Sequence, residues 1–192
     1  GKPGAGFLSV AGGANGMGLR EVGAFSTMLA AHRGFDAESR ADAGRLWGAP
    51  SVAAGPGLEG DALWEAVLDG RIKALWIMEG DPAGDEIDTG PARAALAACP
   101  LVILSDCYAD SETAGFAHIM LPTNDAAERN GTATGFDRLI SRQRPVSPAS
   151  GEARPGWWIV TQVAQHMGWH DAFYFRAAAD VYREHARLSA YG

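Results

Sequence analysis

The chain has 192 residues, 47% hydrophobic and 20% charged, which is enough apolar side chain for a core and unlike the low-hydrophobicity signature of disorder. A formal charge of -7 excludes the broad basic face that nucleic acid requires. No run approaches the roughly 18 uninterrupted apolar residues of a membrane helix, and the opening Gly1-Lys2-Pro3-Gly4 has no charged-then-apolar leader pattern, so no membrane partner is expected either.

The chain starts without Met on a glycine-rich stretch, GKPGAGFLSVAGGANGMG, and is therefore expected to be an internal piece of a longer protein. Residues 19–33 place Val22, Phe25, Met28 and Leu29 at helical spacing with Gly34 as a stop, which predicts a helix. The Gly, Pro and Ala content of residues 44–60 predicts a surface connection, followed by a helix over 61–68 that Gly70 closes. Residues 72–78 (IKALWIM) and 101–105 (LVILS) are continuous apolar runs, as in strands buried on both faces. Between them residues 91–99 put Pro91 in the first turn and strong helix formers after it. The resulting βαβ unit is right-handed in nearly all proteins.

Residues 118–121, ending at Pro122, and 138–142 predict further strands, and 157–167 and 177–188 predict helices joined through WHDAFYF. The reading is one α/β domain over 1–192, a parallel sheet with flanking helices: a glycine-rich opening loop at 1–18, a βαβ core at 70–145 and carboxy-terminal helices at 154–192.

Ligands of such sheets bind outside the carboxyl ends of the strands. Two loops qualify there, EGDPAGDEIDTGP after Met78 and SDCYADSET after Leu104. The first offers close approach at Gly80 and Gly84 and an acceptor in Asp81; the second offers Ser105, Asp106, Ser111 and Thr113. Ordinary turns and helix caps account for the same residues equally well. Gly12, Gly13, Gly16 and Gly18 crowd the segment before the first predicted helix without forming a dinucleotide or phosphate-loop fingerprint. Arg20 falls in that helix's first turn, where a cation opposes the dipole, so an anion or a nearby acid such as Glu21 is its expected partner. Cys99 and Cys107 form no CxxC or His/Cys cluster and are expected as reduced thiols, a mutual disulfide being the alternative. His166 and His170 have i,i+4 spacing, but Gly168 lies between them and they are read as packing or surface residues.

In order along most of the chain these segments resemble the molybdopterin oxidoreductases, in particular the assimilatory nitrate reductase branch. An Asn-x-Met-Gly-x-Arg-Glu-Val-Gly stretch stands as Asn15, Met17, Gly18, Arg20, Glu21, Val22 and Gly23. After it come IKALWIM with Asp81-Pro82, LVILSDCY with Glu112-Thr113-Ala114, LP with Glu128 and Gly131-Thr132, then ISRQRP and GEARPGWW. The resemblance implies a Rossmann-like α/β domain that grips one of two molybdopterin guanine dinucleotides of a bis-molybdopterin guanine dinucleotide cofactor with molybdenum. It assigns cofactor contacts to Asn15, Met17, Gly18, Gly80, Asp81, Pro82, Ser105, Asp106, Thr113 and Glu128. It makes Arg20 the catalytic residue, drawing in nitrate or a similar small oxyanion with a fixed, always-charged fork. It also implies a cytoplasmic enzyme whose iron-sulfur cluster and molybdenum ligand lie outside this segment, with the same subunit's other domains and an electron-donor protein as partners. The isolated segment is expected to be inactive.

Three positions depart from that branch. Gly13 stands in place of a Gln, Glu79-Gly80-Asp81-Pro82 in place of a Gly-Thr-Asn-Pro order, and Gly135-Phe136-Asp137 in place of Asn-Ser-Glu. A formate dehydrogenase or other oxyanion reductase of the same family, a non-catalytic nucleotide-binding module and a purely structural domain are the competing readings.

Overall fold

The computed structural model describes residues 15–85 and 87–190. The glycine-rich segment before Asn15, with Gly12 and Gly13, lies outside the described residues. Where the sequence reads as one domain, the chain gathers into two compact units. The first takes Gly1–Pro56, Asn130–Gln143 and Tyr182–Gly192; the second takes Gly57–Arg129 and Arg144–Val181.

The second unit is the expected α/β part. Strands β1 (Ala74–Met78), β2 (Leu101–Asp106) and β3 (Ile119–Pro122) form a parallel sheet in the order β1-β2-β3. Trp76 pairs in register with Ile103, and Leu104 with Met120. In the numbering used here, α3 (Gly60–Leu68) precedes β1, and α4 (Gly90–Ala98) crosses from β1 to β2. Pro91 opens α4 where its missing N–H costs nothing, and the following Ala92, Ala95 and Leu96 are buried. Two fully buried alanines let α4 lie close to α3, and Leu96, Cys99 and Val102 join Trp64 and Val67 of α3 in one apolar cluster. Leu75 and Ile77 of β1 pack against it.

Burial on both faces describes β2 alone. Its neighbours are edges of this sheet, so Met78 is 49% exposed and Ile119 44%. Helix α5 (Gly156–His166) buries Ile159, Thr161 and Ala164, and α6 (Ala178–Ser189) ends the described chain. Among the described residues no helix is long and apolar enough to cross a membrane.

The first unit departs most from expectation. Instead of a helix over 19–33 there is α1 (Gly16–Glu21), after which the chain doubles back. Gly23 has φ 72, and a Cβ there would come within 2.5 Å of the Leu29–Ala30 backbone. Ala31 and His32 are also left-handed, and Ala31 N–H donates to the Glu21 carbonyl at 2.8 Å. Apolar spacing alone therefore misleads here: Val22 and Phe25 are 46% and 41% exposed. Helix α2 (Ala37–Trp47) takes the start of the expected 44–60 connection. Its ends follow capping chemistry, since Asp36 accepts from Ser39 N–H at 2.9 Å and Gly48 is left-handed at φ 61. Strands β4 (Gly131–Thr134) and β5 (Ile140–Gln143) form an antiparallel hairpin. This hairpin belongs to the first unit, so the expected 70–145 core is interrupted there.

Candidate functional site

Backbone geometry at the end of β1 builds the site. Glu79 leaves the strand at φ 53, its N–H donating to the Ser105 carbonyl at 2.8 Å. Asp81 then closes a tight turn, its carbonyl accepting from Gly84 N–H at 2.8 Å and Asp85 N–H at 2.7 Å. Only glycine fits at 84, where a Cβ would come within 2.5 Å of the Asp81 carboxylate. That carboxylate reaches across to the 3-10 segment Glu112–Phe116, accepting from Thr113 N–H at 2.7 Å, Thr113 Oγ1 at 2.6 Å and Glu112 N–H at 3.2 Å. Burial would raise its pKa, but the hydrogen bonds from Thr113 and Glu112, with the charge of Arg93, hold it below the usual carboxylate value. Thr113 is fully buried, and its hydroxyl also accepts from Ala83 N–H at 3.1 Å. Arg93 of α4 braces the same turn, donating to the Ala83 carbonyl at 2.9 Å and pairing with Glu112 at 2.9 Å.

Strand β2 ends on Ser105 and Asp106. Ser105 is buried, and its Oγ accepts from Trp76 Nε1 at 2.8 Å. Asp106 is 8% exposed, its Oδ1 accepting from Tyr108 N–H at 3.0 Å; among the described residues its Oδ2 takes no hydrogen bond. Beyond β3, Asp125 and Glu128 close a capping box around a short 3-10 turn. Glu128 also accepts from Ser150 Oγ at 2.8 Å and Ser150 N–H at 3.0 Å, and the Ser150 bonds hold its carboxyl below the usual value.

These loops line an open cavity of about 550 Å³ at the carboxyl ends of β1 and β2. The strand order does not reverse within this sheet, so the strand ends themselves, and no switch point among the described strands, place the cavity. Carboxylates line it from every side: Glu79, Asp81, Asp85, Asp106, Asp110 and Asp125. Among its described lining residues one cation faces them, Arg129, already paired with Glu79. Such a wall accepts hydrogen bonds and repels anions. A donor-bearing base edge suits it; a diphosphate does not.

A family model described as molybdopterin oxidoreductase matches residues 6–166. The chain belongs to the molybdopterin oxidoreductase family. It is 46% identical over its whole length to a nitrate reductase of Klebsiella oxytoca, covering 22% of that protein, and 40% identical to a nitrate reductase of Shewanella frigidimarina, covering 20%. It thus spans about a fifth of the length of these relatives. At 28% identity it also matches an F420-dependent formate dehydrogenase subunit alpha of Methanococcus maripaludis. The acetylene hydratase of Pelobacter acetylenicus shares the fold, with a TM-score of 0.58 at 17% identity, over 79% of this chain and 22% of that one.

Of the residues that the resemblance assigns to cofactor contacts, Gly80, Asp81 and Asp106 line the cavity together. Pro82 follows in the same turn. Thr113, Ser105 and Glu128 are not in the cavity wall; their side chains hold Asp81, Trp76 and Ser150. Asn15, Met17, Gly18 and Arg20 belong to the first unit. There Asn15 Oδ1 accepts from Thr134 N–H at 2.8 Å, and Gly18 leaves room for the Asn15 side chain, which a Cβ would meet at 2.3 Å. Met17 is half-buried. Arg20 is exposed and lies in the last turn of α1, not the first, so no dipole conflict exists; its guanidinium stands 5.6 Å from the Phe25 ring centroid. Neither cysteine forms a disulfide, and no cluster of metal-ligating side chains exists among the described residues.

Sequence reasoning missed Arg129, Tyr108 and the acidic character of the cavity as a whole. The pairing of residues 79 and 129 has no local sequence signal. The capping box did, as an Asp followed three positions later by Glu.

Proposed function

We propose that the chain is part of a molybdenum enzyme that reduces nitrate to nitrite and water, and that its second unit receives the guanine end of one molybdopterin guanine dinucleotide. The observation that carries this is Asp106, a nearly buried carboxylate with one oxygen free, at the end of the central strand in an acceptor-lined cavity. Guanine presents adjacent N–H donors, and a carboxylate is the side chain that accepts from them. Asp81, held rigid by Thr113, shapes the neighbouring wall, the backbone at Gly80 supplies close approach, and Pro82 stiffens the turn that follows. Ser105 supports that wall through Trp76, and Glu128 through its capping box.

The bound cofactor supplies two-electron redox chemistry. Arg20 then attracts and orients the substrate, since an exposed guanidinium without an ion pair among the described residues presents a planar fork to a planar oxyanion. Asn15, Met17 and Gly18 form the turn that carries Arg20 and contribute to the cofactor's surroundings. The iron-sulfur cluster, the molybdenum ligand and the electron donor belong to other parts of the full protein, which this reading places in the cytoplasm.

Formate is also a small planar anion that Arg20 would attract, and formate dehydrogenase relatives exist. The deciding experiment measures GMP and molybdenum released from the full-length protein, then nitrate and formate turnover with Arg20→Ala. About two GMP per molybdenum and a nitrate activity that collapses in the variant support the reading; formate turnover alone moves it to the second reading. A folded protein with neither GMP nor molybdenum, from a molybdenum-replete host, refutes both.

A further inference from the structure

Among the described cavity residues, the one cation is joined to the one side chain held at positive φ. Glu79 sits at φ 53, a region that an L side chain enters only when its surroundings hold it there. Arg129 grips its carboxylate with both terminal nitrogens, Nη1 to Oε2 at 2.8 Å and Nη2 to Oε1 at 2.7 Å. The remaining guanidinium donor, Nε, is fixed on the Asn124 carbonyl at 2.9 Å, and Asn124 is 3% exposed. A planar fork with all three nitrogens engaged has little freedom left. The pair joins positions 50 apart and ties the wall that follows β1 to the wall that follows β3.

We infer that the Glu79–Arg129 pair is a clasp that fixes the spacing of these two walls and thereby sets how long a nucleobase stays between them, an inference that rests on the guanine reading above. Both are positioning residues. They act through the walls carrying Gly80 and Asp125.

The test uses full-length holoprotein carrying Glu79→Gln, Arg129→Gln, the two together, or Glu79→Gly. GMP and molybdenum retained by the protein are followed over time in sub-denaturing urea, and the unfolding temperature is recorded beside them. Each single charge removal should speed loss of GMP about two- to five-fold, the range expected for a partly exposed pair. The double variant should be no faster than the faster single one, because the second substitution has no pair left to break. Glu79→Gly relieves the backbone while deleting the clasp, so GMP loss should speed up with no fall in unfolding temperature, which a merely structural pair would not give. Wild-type retention in Glu79→Gly, or additive acceleration in the double variant, overturns the clasp. Wild-type protein without GMP overturns the guanine reading instead.

Discussion

Thr113→Val is the sharpest probe of how the cavity wall is held. The substitution keeps the shape of a fully buried side chain and deletes a hydroxyl that donates to Asp81 at 2.6 Å and accepts from Ala83 N–H at 3.1 Å. Losing a hydrogen bond to a charged group costs about 1.5–3 kcal/mol, and leaving a buried N–H unsatisfied costs about 1–3 kcal/mol. Allowing for relaxation, the 81–85 turn should open more easily by about 2–4 kcal/mol, which is about 30- to 700-fold in its opening equilibrium. Hydrogen exchange of the peptides covering residues 80–90 and 110–118 of the full-length protein reads this directly, without requiring two-state unfolding. Thr113→Ser, which retains the hydroxyl, should stay far closer to wild type. Acceleration below about three-fold in the valine variant would show that Asp81 and Ala83 find other partners and that Thr113 does not hold the wall.

Acid should loosen the same tie. The carboxyl of Asp81 is held below its ordinary 3.8 in the folded chain, so its contribution is fully present above pH 3.8 and is lost as pH falls through the lower folded-state value. Exchange at residues 110–118 should rise over that interval and do so less in Asp81→Asn. Leu96→Ala, deep in the α3–α4–sheet cluster, should destabilise the second unit by about 2–5 kcal/mol, seen as a lower urea midpoint for exchange protection of α4. The Cys107 thiol is pushed above its ordinary 9.0 by burial first and by the neighbouring Asp106 second, so alkylation should be slow at neutral pH and quicken only above pH 9.0. A neutral-pH rate like that of an exposed free thiol would contradict this.

The second unit was legible because each of its signals is local. Apolar runs name β1 and β2, Pro91 marks the start of α4, and their sequence order fixes a parallel crossover. The first unit hides its form because the chain reverses at Gly23 and again at Ala31 and His32, left-handed residues without a glycine signal, where apolar spacing suggests a helix. Helix α2 could have been read from its caps, Asp36 and Gly48, although its alanine-rich face gave little periodicity. At the site, loop position pointed to Gly80, Asp81 and Asp106, and these three line one cavity. Polar residue type did not separate side chains that face the cavity from those that hold the wall, since Thr113, Ser105 and Glu128 find their partners across the fold.

The geometry at residue 79 also makes the two members of the pair unequal. A glutamate introduced there alone brings a left-handed side chain and an unpaired negative charge into an already acidic wall, and both are unfavourable. Arginine at 129 placed first meets a carboxylate-lined surface that tolerates it without Glu79. The two members of the pair are therefore unequal, and removing Arg129 from the present chain should do more harm than removing it from a chain with glycine at position 79. Comparing Arg129→Gln in the wild-type and Glu79→Gly backgrounds would expose that inequality directly.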